Sequence, residues 1–127
     1  MSDRNTKELE LLALAAFTNT TEAFTTERDV ARYAEILVLL RVTNKAGTSP
    51  TLTLKLYTKS VQLAKLFFTH STIVNALDIS TTDGTDANNI LTAYTFTNVG
   101  EKIRMGYKIG GTVSPSATFG LYVVGKN

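Results

Sequence analysis

The sequence predicts an all-β protein, a single antiparallel β-sandwich with about seven or eight strands and an N-terminal arm. Three observations predict it. Residues 35–60, EILVLLRVTNKAGTSPTLTLKLYTKS, read as an apolar strand, a polar turn and a second strand of strict alternation. A variant of that pattern returns at residues 101–126 as EKIRMGYKIGGTVSPSATFGLYVVGK. Turn-forming segments rich in Gly, Pro, Asn, Asp and Thr separate short apolar stretches along the chain, the spacing expected of a sandwich.

Composition sets the bounds. With 127 residues, 43% of them hydrophobic and 19% charged, the chain can build one real core in one domain. We divide it into an arm, residues 1–17, and a sandwich domain, residues 18–127. The lack of Cys and Trp excludes a disulfide framework and a thiolate metal site. A formal charge of +2 falls well short of the concentrated basic charge of a nucleic-acid binder. No stretch reaches the ~18 uninterrupted apolar residues of a membrane helix. The run from Leu9 to Phe17 is broken by Glu10 and makes a poor signal peptide. The expectation is a soluble protein with neither nucleic acid nor membrane as partner.

Residues 1–7 are polar. In residues 8–17, ELELLALAAF, the abundance of Ala, Leu and Glu favours helix, and Asn5 with Glu8 resembles an N-cap and its partner. Leu9, Leu11, Ala13, Ala15 and Phe17 equally fit a period of two, so helix and strand stay open here. Residues 18–26 form a Thr-rich connection with a glycosylation sequon at Asn19, which matters only in a secretory context. Residues 27–34 are charged and lead into the first long strand. There Ile36, Val38, Leu40 and Val42 point one way and Leu37, Leu39 and Arg41 the other. A strand buried on one side would alternate, so a loop, the N-terminal segment or a neighbouring subunit must cover the second apolar face.

Asn44, Gly47 and Ser49-Pro50 predict a hairpin-type turn over residues 43–50. Beyond it Leu52, Leu54 and Leu56 face the core, and Thr51, Thr53, Lys55 and Tyr57 face outward. Residues 61–68 suit a strand or short helix, residues 74–79 a short strand, and residues 81–89 an exposed loop. Residues 90–97 predict a strand with Leu91, Ala93, Thr95 and Thr97 on one side and Ile90, Thr92, Tyr94 and Phe96 on the other. Ile103, Met105, Tyr107 and Ile109 form the apolar face of the next strand, opposite Lys102, Arg104, Gly106 and Lys108. After Gly110-Gly111 and Ser114-Pro115, residues 118–124 are apolar on both sides, Phe119, Leu121 and Val123 alternating with Gly120, Tyr122 and Val124. Aligning the two long units through their turns requires a one-residue gap, and shared turn chemistry explains their likeness without duplication.

No catalytic motif is present, and the one histidine, His70, has no partner fixed by sequence. We expect no enzyme, no cofactor and no catalytic or metal residue. Asp78, Asp83 and Asp86 gather near Gly84 and Asn88-Asn89, as an ordinary solvated turn would have them and as a calcium loop also can. Lys102, Arg104 and Lys108, joined by Lys55 across the sheet, form a basic face. Such a face is either a solvated surface that discourages edge pairing or a docking face for an acidic partner. The candidate subunit or partner interface comprises Leu9, Leu11, Phe17, Leu37, Leu39, Tyr122 and Val124.

Three features carry a resemblance: Gly47-Thr48-Ser49-Pro50 followed by alternating Leu; Arg104 with Tyr107, Lys108 and Gly110-Gly111; and Ser114-Pro115 before the last strand. With them the sequence resembles the small β-sandwich virion proteins of tailed bacteriophages, of the head-decoration or minor structural type, which implies that the sandwich is jelly-roll-like. An LLALAA-like opening segment is a looser match and favours strand for residues 8–17. The resemblance implies a capsid decoration protein that binds and stabilises the outer shell, commonly as a trimer. Its partners would be the major capsid protein of the same virion and further copies of itself. It would be made in the host cytoplasm and located on the virion surface. The arm would add a strand to a neighbour's sheet. The alternatives are a tail-tube, tail-terminator or head–tail connector subunit and, more distantly, a carbohydrate-binding module stacking sugars on Tyr57, Tyr94 or Phe96.

Overall fold

The computed structural model describes residues 6–59, 67–83, 85, 88–97 and 100–126. Its strands, in chain order, are β1 (Thr6–Phe17), β2 (Ala23–Phe24), β3 (Arg28–Asp29), β4 (Glu35–Lys59), β5 (Phe67–Asp78), β6 (Ile90–Thr97) and β7 (Lys102–Lys126). The all-β expectation holds. Residues 8–17 belong to a strand, because their period of two outweighs the helix propensity of Ala and Leu: β1 pairs antiparallel with β7, from Thr6 opposite Lys126 to Phe17 opposite Ala117. The expected short strand at residues 74–79 is the end of the longer β5, and residues 60–66 lie outside the described residues.

The expected hairpins do not form. β4 and β7 each run unbroken for 25 residues, and they pair with one another, from Glu35 opposite Lys126 to Lys59 opposite Lys102. The turn residues bend each strand without reversing it. Left-handed backbone at Gly47 (φ 95°) and Ser49 (φ 50°), and at Gly111 (φ 123°), Val113 (φ 58°) and Ser114 (φ 53°), deflects the pleat where the pairing register shifts. A Cβ on Gly47 would meet the Cα of Pro115 at 2.7 Å, so the two bends are in close contact.

The bends divide the ladder into two layers. Residues 35–46 of β4 and 117–126 of β7 lie between β1 and β6, and residues 51–59 and 102–110 lie between β2/β3 and β5. Counting each long strand as two segments and β2/β3 as one gives the orders 1-8-3-6 and 2-7-4-5. This is the double Greek key of a jelly roll. Rings bridge the layers. Tyr107 lies 5.2 Å from Phe17 of β1 and 5.6 Å from Phe119, both in edge-on contact.

The core is supplied almost symmetrically. Ile36, Val38, Leu40, Val42, Leu52, Leu54 and Leu56 of β4 are buried, as are Ile103, Met105, Tyr107, Ile109, Phe119, Leu121 and Val123 of β7. Each β7 residue stands 67 positions after its β4 counterpart, with no gap, as Ile36 and Ile103 or Leu56 and Val123 illustrate. The gap seen when the turns are aligned is therefore confined to the bends. Two strands that pair antiparallel across a pseudo-twofold axis must have arms of equal length, and burial follows that rule.

Phe119 joins β1, both halves of β7 and the inter-layer rings, so Phe119→Ala should cost about 3–5 kcal/mol in urea unfolding. Leu91→Ser, at a side chain 70% exposed, should shift stability by less than about 0.5 kcal/mol.

Candidate functional site

The outward faces of the two layers differ in chemistry, and pairing decides which residues each shows. In the β1–β7–β4–β6 layer, the positions between the buried residues of β4 carry Leu37, Leu39 and Arg41. Leu37 stands opposite Val124 and Thr95, Leu39 opposite Tyr122 and Ala93, and Arg41 opposite Gly120 and Leu91. Four residues assigned to an interface from sequence, Leu37, Leu39, Tyr122 and Val124, are thus brought together, all half-buried. Two of them, Leu39 and Tyr122, line a groove of about 370 Å³ together with Leu40, Arg41, Leu91, Thr92 and Ala93. The groove wall is almost wholly apolar, with Arg41 at one end. Gly120 shapes it: a Cβ there would meet the Tyr122 hydroxyl at 2.9 Å and the Leu14 backbone at 3.2 Å, so the missing side chain makes room for the tyrosine.

The other three interface candidates are corrected. Leu11 is buried in the core, 3% exposed, and Phe17 packs against Tyr107 and Phe119. Leu9 is half-buried opposite the buried Val123, on the inward side. β1 shows Glu8 and Glu10 outward, because its alternation is set by the core side it shares with β7. What sequence reasoning missed is the share of Leu91 and Ala93. Their outward side was legible from the period of two, but only the strand order puts β6 beside β4.

The opposite layer gathers Lys55, Lys102, Arg104 and Lys108 on one outward face, as expected, but with acids among them. Tyr57, opposite Arg104, donates its hydroxyl to Glu22 at 2.7 Å. Lys59, opposite Lys102, pairs with Glu27 at 3.1 Å, and Asp29 lies across from Lys102 on the other side. The Arg104 guanidinium sits 4.1 Å over the Phe24 ring and 6.0 Å from that of Tyr57, while Phe24 and Tyr57 meet edge to face at 5.4 Å. Much of this face is closed upon itself. A polar groove of about 350 Å³ beside it is lined by Thr20, Thr21, Glu22, Thr53, Lys55 and Lys108.

The remaining candidates resolve locally. Tyr94 and Phe96 lie on the inward side of β6 against the core, so they form no sugar-stacking platform, and burial raises the Tyr94 pKa. Asp83 accepts hydrogen bonds from the Thr85 hydroxyl (2.7 Å) and amide (3.0 Å) and from Asn88 (2.6 Å), which hold its pKa below the usual carboxylate value. Asp86 and the His70 side chain lie outside the described residues. Among the described residues no three His, Asp or Glu side chains cluster to hold a metal. Asn19 donates both amide hydrogens, to the carbonyls of Thr21 and Tyr107, so the sequon nitrogen serves to tie the β1–β2 connection to β7.

No family model matches the sequence. No curated protein matches it either. Among solved structures the chain is similar to VP2 in the subviral particle of infectious bursal disease virus, with a TM-score of 0.69 and 10% identity over 98% of this chain and 33% of that one. A structure of the Gx strain of the same virus gives a TM-score of 0.69 and 10% identity, with 98% and 32% covered. T=1 particles derived from that virus give a TM-score of 0.59 and 12% identity, with 96% and 32% covered. The chain spans about one third of the length of the proteins it resembles, and the likeness shows the fold.

The Arg104–Phe24 contact is partly exposed. A double-mutant cycle of Arg104→Ala and Phe24→Ala should give a coupling of about 0.5–1 kcal/mol, read from urea unfolding.

Proposed function

We propose that this protein is a structural component of a virus particle, and most specifically a decoration protein on the head of a tailed phage. The observation that carries the proposal is the apolar outer face of the β1–β7–β4–β6 layer. Leu37, Leu39, Leu91, Tyr122 and Val124 leave a greasy surface that costs solubility unless something covers it. The jelly roll shared with VP2 in the subviral particle supports a particle-building role. The turn and strand motifs shared with small phage virion proteins support the head-decoration assignment. In this account the partners are the major capsid protein of the same virion and further copies of the chain, with a trimer favoured on the shell. The opposite face, with its mixed charges and internal pairs, is turned to solvent. A tail-tube, tail-terminator or connector subunit is the second reading and would use the same apolar face within a ring.

Purified protein mixed with shells of the cognate major capsid protein should co-sediment with them, and Leu39→Lys should reduce binding at least tenfold. Lys55→Ala with Lys108→Ala should leave binding within about twofold. Electron microscopy of decorated shells should place the protein at threefold positions, whereas sixfold or helical order would transfer it to the tail. Failure to bind shells, or binding that ignores Leu39→Lys, would sink the decoration proposal.

A further inference from the structure

Four strand segments end the two layers, and they are protected unequally. β1 carries Lys7, Glu8 and Glu10, and its pairing shifts register twice. β5 shifts register three times against β4 and has left-handed backbone at Ala76 (φ 54°). β2 and β3 are two residues each. Short length, charge and bulges are the devices by which sheet edges avoid pairing with other chains. β6 has none of them. Its eight residues, ILTAYTFT, hold no charge, no Pro and no Gly. They pair with β4 from Val42–Ile90 to Glu35–Thr97 without one register shift, and among the described residues β4 is the strand that pairs with β6. The side of β6 away from β4 is a regular template for another strand.

We propose that β6 is a self-association edge, pairing antiparallel with the β6 of a second copy across a twofold axis. This does not depend on the virion reading. Three observations select a second copy as the occupant. An isologous contact sets the strand against its own copy, residue i facing j and j facing i, and an uncharged strand meets no repulsion there. The strand is also self-complementary in its faces. A register centred on Ala93 places Leu91 opposite Thr95 and Ile90 opposite Phe96, keeping inward residues inward in both copies, whereas a one-residue slip would put core residues outside. Finally, the apolar groove runs up to β6 through Leu91 and Ala93. Pairing would join the grooves of two copies into one face and shield Ile90, Tyr94 and Phe96, which are only partly buried in the single chain.

The absence of cysteine permits a direct test on the full chain. Ala93→Cys, at an exposed position, should form a disulfide-linked dimer under mild oxidation at least tenfold faster than Ala46→Cys, a control at the exposed bend of β4. Analytical ultracentrifugation of the unmodified chain should show twice the monomer mass with rising concentration. Ala93→Lys, which sets two lysines face to face, should return it to monomer with an unchanged circular dichroism spectrum. Equal cross-linking at residues 93 and 46, or self-association that survives Ala93→Lys, would overturn the proposal. So would a chain that stays monomeric at all concentrations, or one whose β6 is occupied by an added extended peptide in preference to a second copy.

Discussion

The pairing of β4 with β7 is the constraint on which everything else depends. It is one antiparallel ladder, 25 residues on each side, bent through both layers. Every other strand attaches to it: β1, β2 and β3 to β7, β5 and β6 to β4. Its alternation fixes which residues enter the core, so it also fixes which are left outside. The apolar groove and the charged face are both consequences of that one register. A slip of one residue would exchange the core and the surface of the molecule.

The two outer surfaces differ in chemistry. On one, Arg104 is stacked on Phe24, Glu22 receives the Tyr57 hydroxyl and Lys59 holds Glu27, so part of the charge and aromatic area is engaged within the chain, with Phe24 still 43% exposed. On the other, Leu39, Leu91 and Tyr122 line a groove whose apolar wall has no such internal use. Burial of apolar surface yields roughly 25 cal/mol per Å², so covering the apolar groove of the second face would be favourable. The bends add a contrast of their own, since left-handed backbone at Ser49, Val113 and Ser114 is tolerated where the strands cross between layers.

Much of this was legible in the sequence, and what was not has a common cause. Strict alternation at Leu52, Leu54 and Leu56, and at Ile103, Met105 and Tyr107, announced strands and their inward faces, and all six are buried. The second apolar face at Leu37, Leu39, Tyr122 and Val124 was equally visible, because residues of both parities are apolar there. Gly47 and Pro50 predict a hairpin and instead bend β4 between layers, because turn chemistry is local: it states that the chain deviates, and long-range pairing decides whether the chain reverses or changes layer. Leu11 and Phe17 face inward for the same reason, since the period of two gives two faces and only the partner strand says which is inward. Leu91 needed the strand order, which no periodicity contains.

The central claim is that the β1–β7–β4–β6 layer is the binding surface and the opposite layer is not. Hydrogen–deuterium exchange of the free and shell-bound protein tests it most directly. The account predicts new protection in residues 37–41, 90–97 and 120–124 on binding, with exchange unchanged in residues 55–59 and 102–108. Protection confined to the second set, with the first unchanged, would contradict it.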